Sequence, residues 1–121
     1  MTRALLLVDH GSQLVEANRV LDQIADALRR RLRDAIVEVA HMELAEPSLA
    51  AGLERCAARG AREVVVCPYF LVPGRHTSRD IPQLVERAHA AHPELRVRVA
   101  APLGFDEQLV DVLLARADAA V

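Results

Sequence analysis

Ala4-Leu5-Leu6-Leu7-Val8-Asp9-His10-Gly11-Ser12 decides the fold. Five consecutive apolar residues read as a strand covered on both faces, as in a parallel sheet. Asp, His, Gly and Ser then read as a strand end, a turn and a helix start. A second run, Val64-Val65-Val66-Cys67-Pro68-Tyr69-Phe70-Leu71, has the same character and leads to His76. Parallel strands all point one way, so their carboxyl ends share one edge. In α/β proteins that edge is where ligands bind. His10 and His76 are thereby predicted to face one crevice.

Working outward, short apolar runs alternate with longer amphipathic segments. Strands are predicted near 3–9, 36–42, 62–68 and 95–101, and helices near 13–34, 46–59, 78–91 and 106–120. Leu14, Ala17, Leu21, Ile24, Ala25, Leu28 and Leu32 recur at helical spacing. Pro47 suits the first turn of the second helix and Gly60 its C-terminal cap. Thr77 with Asp80 resembles a capping box, and Asp106 can cap the fourth helix. Four βα units predict a three-layer α/β/α fold on a four-stranded parallel sheet. The second and fourth strands admit charges (Glu38; Arg96 and Arg98), as edge strands do. The predicted order is therefore 2-1-3-4, with its switch point between the strands that deliver His10 and His76.

Residues 1–121 are read as one domain, long enough for a genuine core. A net charge of -2 argues against a nucleic-acid partner. All fifteen basic residues are Arg, so a P-loop or Schiff-base lysine is excluded. Cys56 and Cys67 lack CxxC spacing and read as buried, reduced thiols of a cytoplasmic protein. The first apolar run is too short for a secretory signal, and no stretch is long enough to span a membrane.

Several residues can carry chemistry at the ligand edge. Gly11 allows close backbone approach, and Ser12 can cap a helix whose free N–H groups favour an anion. His10 can also simply hydrogen-bond within its turn. Glu43 ends the second strand, so a His, His, carboxylate set is available for a divalent metal or for proton abstraction. The chain has only three aromatics, Tyr69, Phe70 and Phe105, and all fall just after strand ends. With Leu71 and Gly74 they either pack loop against helix in the ordinary way or bind a flat apolar ligand, which the gathering of scarce aromatics at this edge suggests. Arg75 and Arg79 flank His76 and can meet substrate carboxylates. His41 can lie at the site or on a sheet face. His89 and His92 read as a solvated helix face rather than a metal pair.

Leu7-Val8-Asp9-His10-Gly11-Ser12, Glu43-Leu44-Ala45-Glu46-Pro47-Ser48 and Pro68-Tyr69-Phe70-Leu71-Val72-Pro73-Gly74-Arg75-His76-Thr77-Ser78-Arg79-Asp80-Ile81-Pro82 together resemble the small sirohydrochlorin chelatases. These are ATP-independent enzymes of cobalamin and sirohaem biosynthesis. The resemblance spans nearly the whole chain, and the segment from Phe70 to Pro82 is its most specific part. It implies a chelatase-like, flavodoxin-type sheet and a homodimer. It implies insertion of Co²⁺ or Fe²⁺ into sirohydrochlorin, with His10 and His76 at the metal. Glu43 stands where relatives commonly carry an acid. His41 stands where they more often have an apolar or aromatic residue.

The residues agree with that chemistry. Insertion displaces two pyrrole protons, so a site must hold the metal loosely and accept protons. Neutral imidazoles can do both, and Glu43 can act as base. Ni²⁺ would also accept such ligands. No Walker motif is present, consistent with no ATP requirement. Three other readings compete. A histidine-phosphatase-like enzyme needs an Arg before its His, where Asp9 stands. A metallochaperone module would bind metal without turnover. A receiver domain needs a Lys and paired acids, both missing here.

Overall fold

The computed structural model describes residues 2–74 and 76–121, and the side chains of all of these except His76 and Thr77. The first apolar run forms β1 (Arg3–Asp9) and the second forms β3 (Glu63–Pro68). They are joined in one parallel sheet by β2 (Ile36–His41) and β4 (Arg96–Val99), in the order β2-β1-β3-β4. Both the architecture and the predicted order are borne out. The apolar runs are central for the expected reason: strands with a neighbour on each side are covered on both faces.

The edge charges are held by partners that the sequence pattern does not reveal. Glu38 on β2 accepts from Arg59 at 2.6 Å, and Arg98 on β4 donates to Glu63 on β3 at 2.7 Å. Glu63 is buried at the start of a central strand, and this bond satisfies its carboxylate.

Three helices cover the sheet. α1 (Val15–Arg31) lies on one face and builds a small core of Leu21 and Ala25 against Leu7 and Val37. α2 (Leu49–Ala58) and α3 (Ile81–His89) lie on the other. There Leu53, Cys56, Ile81 and Val85 pack on Leu6, Val8, Val64 and Val66. Right-handed crossovers running in opposite directions along the sheet, β1 to β2 one way and β2 to β3 to β4 the other, place their helices on opposite faces.

Helix ends differ from expectation in three places. α1 starts at Val15 because Ser12 does not cap it. Leu14 holds the N-cap position in extended conformation, with no side-chain cap. α2 is capped by Ser48, whose Oγ accepts from the Ala51 N–H at 3.2 Å, so Pro47 precedes the helix rather than opening it. The predicted capping box of Thr77 and Asp80 is replaced by a π-helical turn, His76–Asp80, which runs directly into α3. Pro82 at its second position has no N–H to leave unpaired. The expected C-terminal device of α2 is present. Gly60 has φ of +94°, and the N–H groups of Gly60 and Ala61 return to the carbonyls of Ala57 and Cys56.

α4 (Glu107–Asp118) starts as predicted, with Asp106 accepting from the Gln108 N–H at 2.8 Å. Unlike the other helices it buries none of its residues. Leu113 and Leu114 are exposed on it, as is Phe105 just before it. No helix among the described residues is long and apolar enough to cross a membrane.

Burial pushes the Cys56 thiol up to about 12, and the Glu38 charge adds to the effect. At pH 8 a thiol-specific reagent should therefore leave Cys56 unmodified in the folded chain and label it in denaturant. An unfolded chain releases this proton near 9.0, and the folded one only near 12. The contribution to stability is full below the lower value and is lost as the pH rises through the upper one. A Cys56→Ala variant should show a weaker alkaline loss of stability than the parent in denaturant titrations. An equal loss would exclude the thiol as its source.

Candidate functional site

β1 and β2 do not part at their ends. Asp9 stands opposite His41 in the register. Beyond it the pairing continues irregularly, with the Met42 N–H on the Asp9 carbonyl at 2.9 Å and the Glu43 N–H on the His10 carbonyl at 3.1 Å. This extension carries the two predicted side chains together: His10 Nε2 lies 3.0 Å from Glu43 Oε1. Both are part-exposed, so the contact contributes little to stability. Its value is chemical, because an imidazole and a carboxylate at hydrogen-bond distance can share a proton or a cation.

Two turns hold this geometry. Gly11 has φ of +92°, and a Cβ there would stand 1.9 Å from the Glu43 carbonyl oxygen. Only glycine permits the two loops to touch. Leu44, with φ of +68°, then turns the chain away immediately after Glu43. Ser12 serves the loop instead of the helix: its Oγ accepts from the Leu14 N–H at 3.0 Å. Asn18 on α1 completes the clamp, accepting from the Ser12 N–H and donating to its carbonyl. Asn18 was not among the expected site residues. Its signal was a polar side chain six residues beyond Ser12, one α1 turn from the loop.

His41 is buried and pairs through Nδ1 with Asp9 Oδ1 at 2.5 Å. Asp9 is thus occupied below the loop, and His41 packs beneath Gly11. His41, expected at the site or on a sheet face, is buried beneath the loop that carries His10. His89 is not a ligand partner of His92: its Nε2 contacts the Leu95 carbonyl at 2.6 Å.

His10 and Glu43 open onto a depression of about 250 Å³, shared with Met42, Asp80, Gln83, Leu84 and Arg87. The last four come from α3 and the turn before it, so the site lies between the first two strand ends and the third helix. Arg87 and Gln83 were not anticipated. Arg79 is exposed and is not part of this lining. Arg75 and the side chain of His76, and with it the expected His10–His76 juxtaposition, lie outside the described residues; the His76 backbone begins the π turn that carries Asp80. Among the described residues no group of three or more His, Cys, Asp and Glu is arranged to hold a metal.

The expected aromatic wall is not continuous. Successive residues of an extended segment point to opposite sides. Tyr69 packs with the α1-side core and Phe70 with the α2–α3 core. Leu71 and Val72 beyond them are exposed and supply the apolar surface at this edge.

Comparison with known proteins agrees with this architecture. A sirohydrochlorin ferrochelatase of Arabidopsis thaliana chloroplasts is 41% identical over 90% of this chain and 48% of its own length. The sirohydrochlorin cobaltochelatase of Methanococcus maripaludis is 32% identical over 95% of this chain and 97% of its own. Among solved structures, the sirohydrochlorin chelatase SirB from Bacillus subtilis subspecies spizizenii, in complex with cobalt, superimposes with a TM-score of 0.91 at 30% identity. It covers 98% of this chain and 50% of SirB. The chain therefore spans about half the length of several relatives and nearly all of others. The sequence model of the CbiX family matches residues 4–120, and the chain belongs to that family.

Proposed function

We propose that the chain inserts a divalent metal, Co²⁺ or Fe²⁺, into sirohydrochlorin without ATP. The observation that carries this reading is the His10–Glu43 pair, 3.0 Å apart in an open depression at the carboxyl edge of the sheet. The names of the relatives point the same way.

Neutral His10 binds the incoming metal through Nε2, with His76 as the second imidazole. Two side chains leave most coordination positions to water and to the macrocycle, so the ion can be passed on. As it enters the ring, two pyrrole N–H protons must leave, and Glu43 takes them in turn. The balance is one metal ion in and two protons out, with no redox step. Leu71 and Gly74 offer an apolar approach for the ring. Ser12 Oγ accepts from the backbone and keeps its own proton for a substrate carboxylate. Anaerobic incubation of sirohydrochlorin with each of Co²⁺, Fe²⁺ and Ni²⁺ tests the reading. Enzyme-dependent absorbance change with at least one metal is expected; none with any would overturn it.

The homodimer belongs to the same proposal. Relatives of twice this length and relatives of equal length coexist, which supports a second copy of the fold as the occupant of the exposed α4 surface. Light scattering should give a dimer, and Leu113→Glu with Leu114→Glu a monomer. A monomeric parent would exclude it. The free thiols Cys56 and Cys67 support the cytoplasm as the compartment.

A further inference from the structure

The depression beside His10 and Glu43 is not isolated. A second, of about 240 Å³, shares Met42, Leu84 and Arg87 with it and continues over Ser48 and Leu49. The two make a groove between the β2–α2 loop and α3. Met42, Leu84 and Leu49 give it a thioether and aliphatic lining suited to a flat ring.

Its charges are less accommodating. Glu43 and Asp80 both line the first depression, which favours a metal cation and opposes a polycarboxylate. Arg87 is the one permanent cation lining either depression among the described residues. Other arginines are already engaged: Arg29 with Asp26, Arg59 with Glu38 and Arg98 with Glu63. Arg87 is exposed in the last turn of α3. It follows Gln83 by four residues and Leu84 by three, so all three share one helix face, and that face lines the groove.

We propose that Arg87 binds a carboxylate of the tetrapyrrole and so sets the orientation of the ring in the groove, the task that sequence position suggested for Arg75 and Arg79. This rests on the reading of the substrate as a polycarboxylate tetrapyrrole. A guanidinium fork can take a carboxylate in two parallel bonds, which an ammonium cannot. Because Arg87 meets the periphery of the ring and not its centre, it governs binding rather than the insertion step.

The test compares Arg87→Gln, Arg87→Lys and Arg30→Gln, the last an exposed arginine on α1 remote from the groove. Two measurements are made: KM and kcat for Co²⁺ insertion into sirohydrochlorin, and the affinity for metal-free uroporphyrin by fluorescence anisotropy. Arg87→Gln should raise KM and weaken porphyrin binding, each by about tenfold, as loss of a charge-assisted bond implies. Its kcat should stay near that of the parent. Arg87→Lys should recover part of the loss, and Arg30→Gln should match the parent. Unchanged KM and affinity in Arg87→Gln, or an equal loss in Arg30→Gln, overturns the proposal while chelation by the parent stands. A parent that neither binds uroporphyrin nor inserts a metal overturns the functional reading itself, and this inference with it.

Discussion

Gly11→Ala should lower stability by about 4 kcal/mol and abolish metal insertion. Two costs add. A left-handed φ costs a non-glycine residue about 1–2 kcal/mol. Steric overpacking adds about 1–3 kcal/mol, and here the added methyl would stand 1.9 Å from the Glu43 carbonyl oxygen and 3.1 Å from His41 Cβ. The obstacle is backbone, so no rotamer change relieves it. The loops must separate, and the His10–Glu43 contact is lost with them. Gly60 provides an internal control. Its φ is +94°, yet an added Cβ there meets nothing within 4 Å. Gly60→Ala should therefore show the conformational cost alone, about 1–2 kcal/mol. Thermal unfolding and chelation rate measured on both variants separate the terms. Equal losses of stability in the two would mean that loop contact at Gly11 is not what glycine protects.

Part of the site was legible in the sequence and part was not, for physical reasons. Strand order was readable because burial on both faces and burial on one leave different compositions, continuous in β1 and β3 and charge-admitting in β2 and β4. His10 and Glu43 were readable because both follow strand ends, and parallel strands bring their ends to one edge. The aromatic pair divides between two cores for a reason internal to strand geometry. Tyr69 and Phe70 are adjacent in sequence, and adjacency in extended backbone means opposite faces. Arg87 and Gln83 were invisible for another reason. They sit seven or more residues beyond His76, on a helix whose rotation about its axis is fixed only when Ile81, Val85 and Ala88 are buried. Ser12 and Asn18 failed as signals because side chain to backbone bonds can serve a loop or a helix end equally well. The π turn before α3 shifted the helix start past Thr77, which removed the predicted cap.

These placements divide labour within the groove. On the proposed function, the strand-end loops present the groups for the metal and protons, while α3 presents those for the ring. The first set is held by Gly11, Asn18 and the Asp9–His41 pair. The second is held by the packing of α3 on α2 and the sheet. Substitutions should accordingly fall into two kinetic classes, and the sharpest case is the pair at the centre.

Glu43→Gln should lower kcat by about 100-fold or more, the usual scale for losing a proton-transfer group, and His10→Ala should lower it as well, for a different reason. Both residues are part-exposed and the contact between them contributes about 0–1 kcal/mol to stability. Folding should hence survive either change, and the loss is chemical. His10→Ala removes the nitrogen proposed to meet the metal, so Co²⁺ binding, followed by visible absorption, should weaken along with turnover. Glu43→Gln keeps the shape and the hydrogen-bonding reach but not the basicity, so Co²⁺ should still bind while protons leave slowly. The double variant decides whether the two act as one device. If they do, its rate should resemble that of the slower single variant instead of the product of both losses. Adding His76→Ala to His10→Ala should remove Co²⁺ binding altogether. Chelation at the parental rate in that double histidine variant would mean that the metal enters by another route.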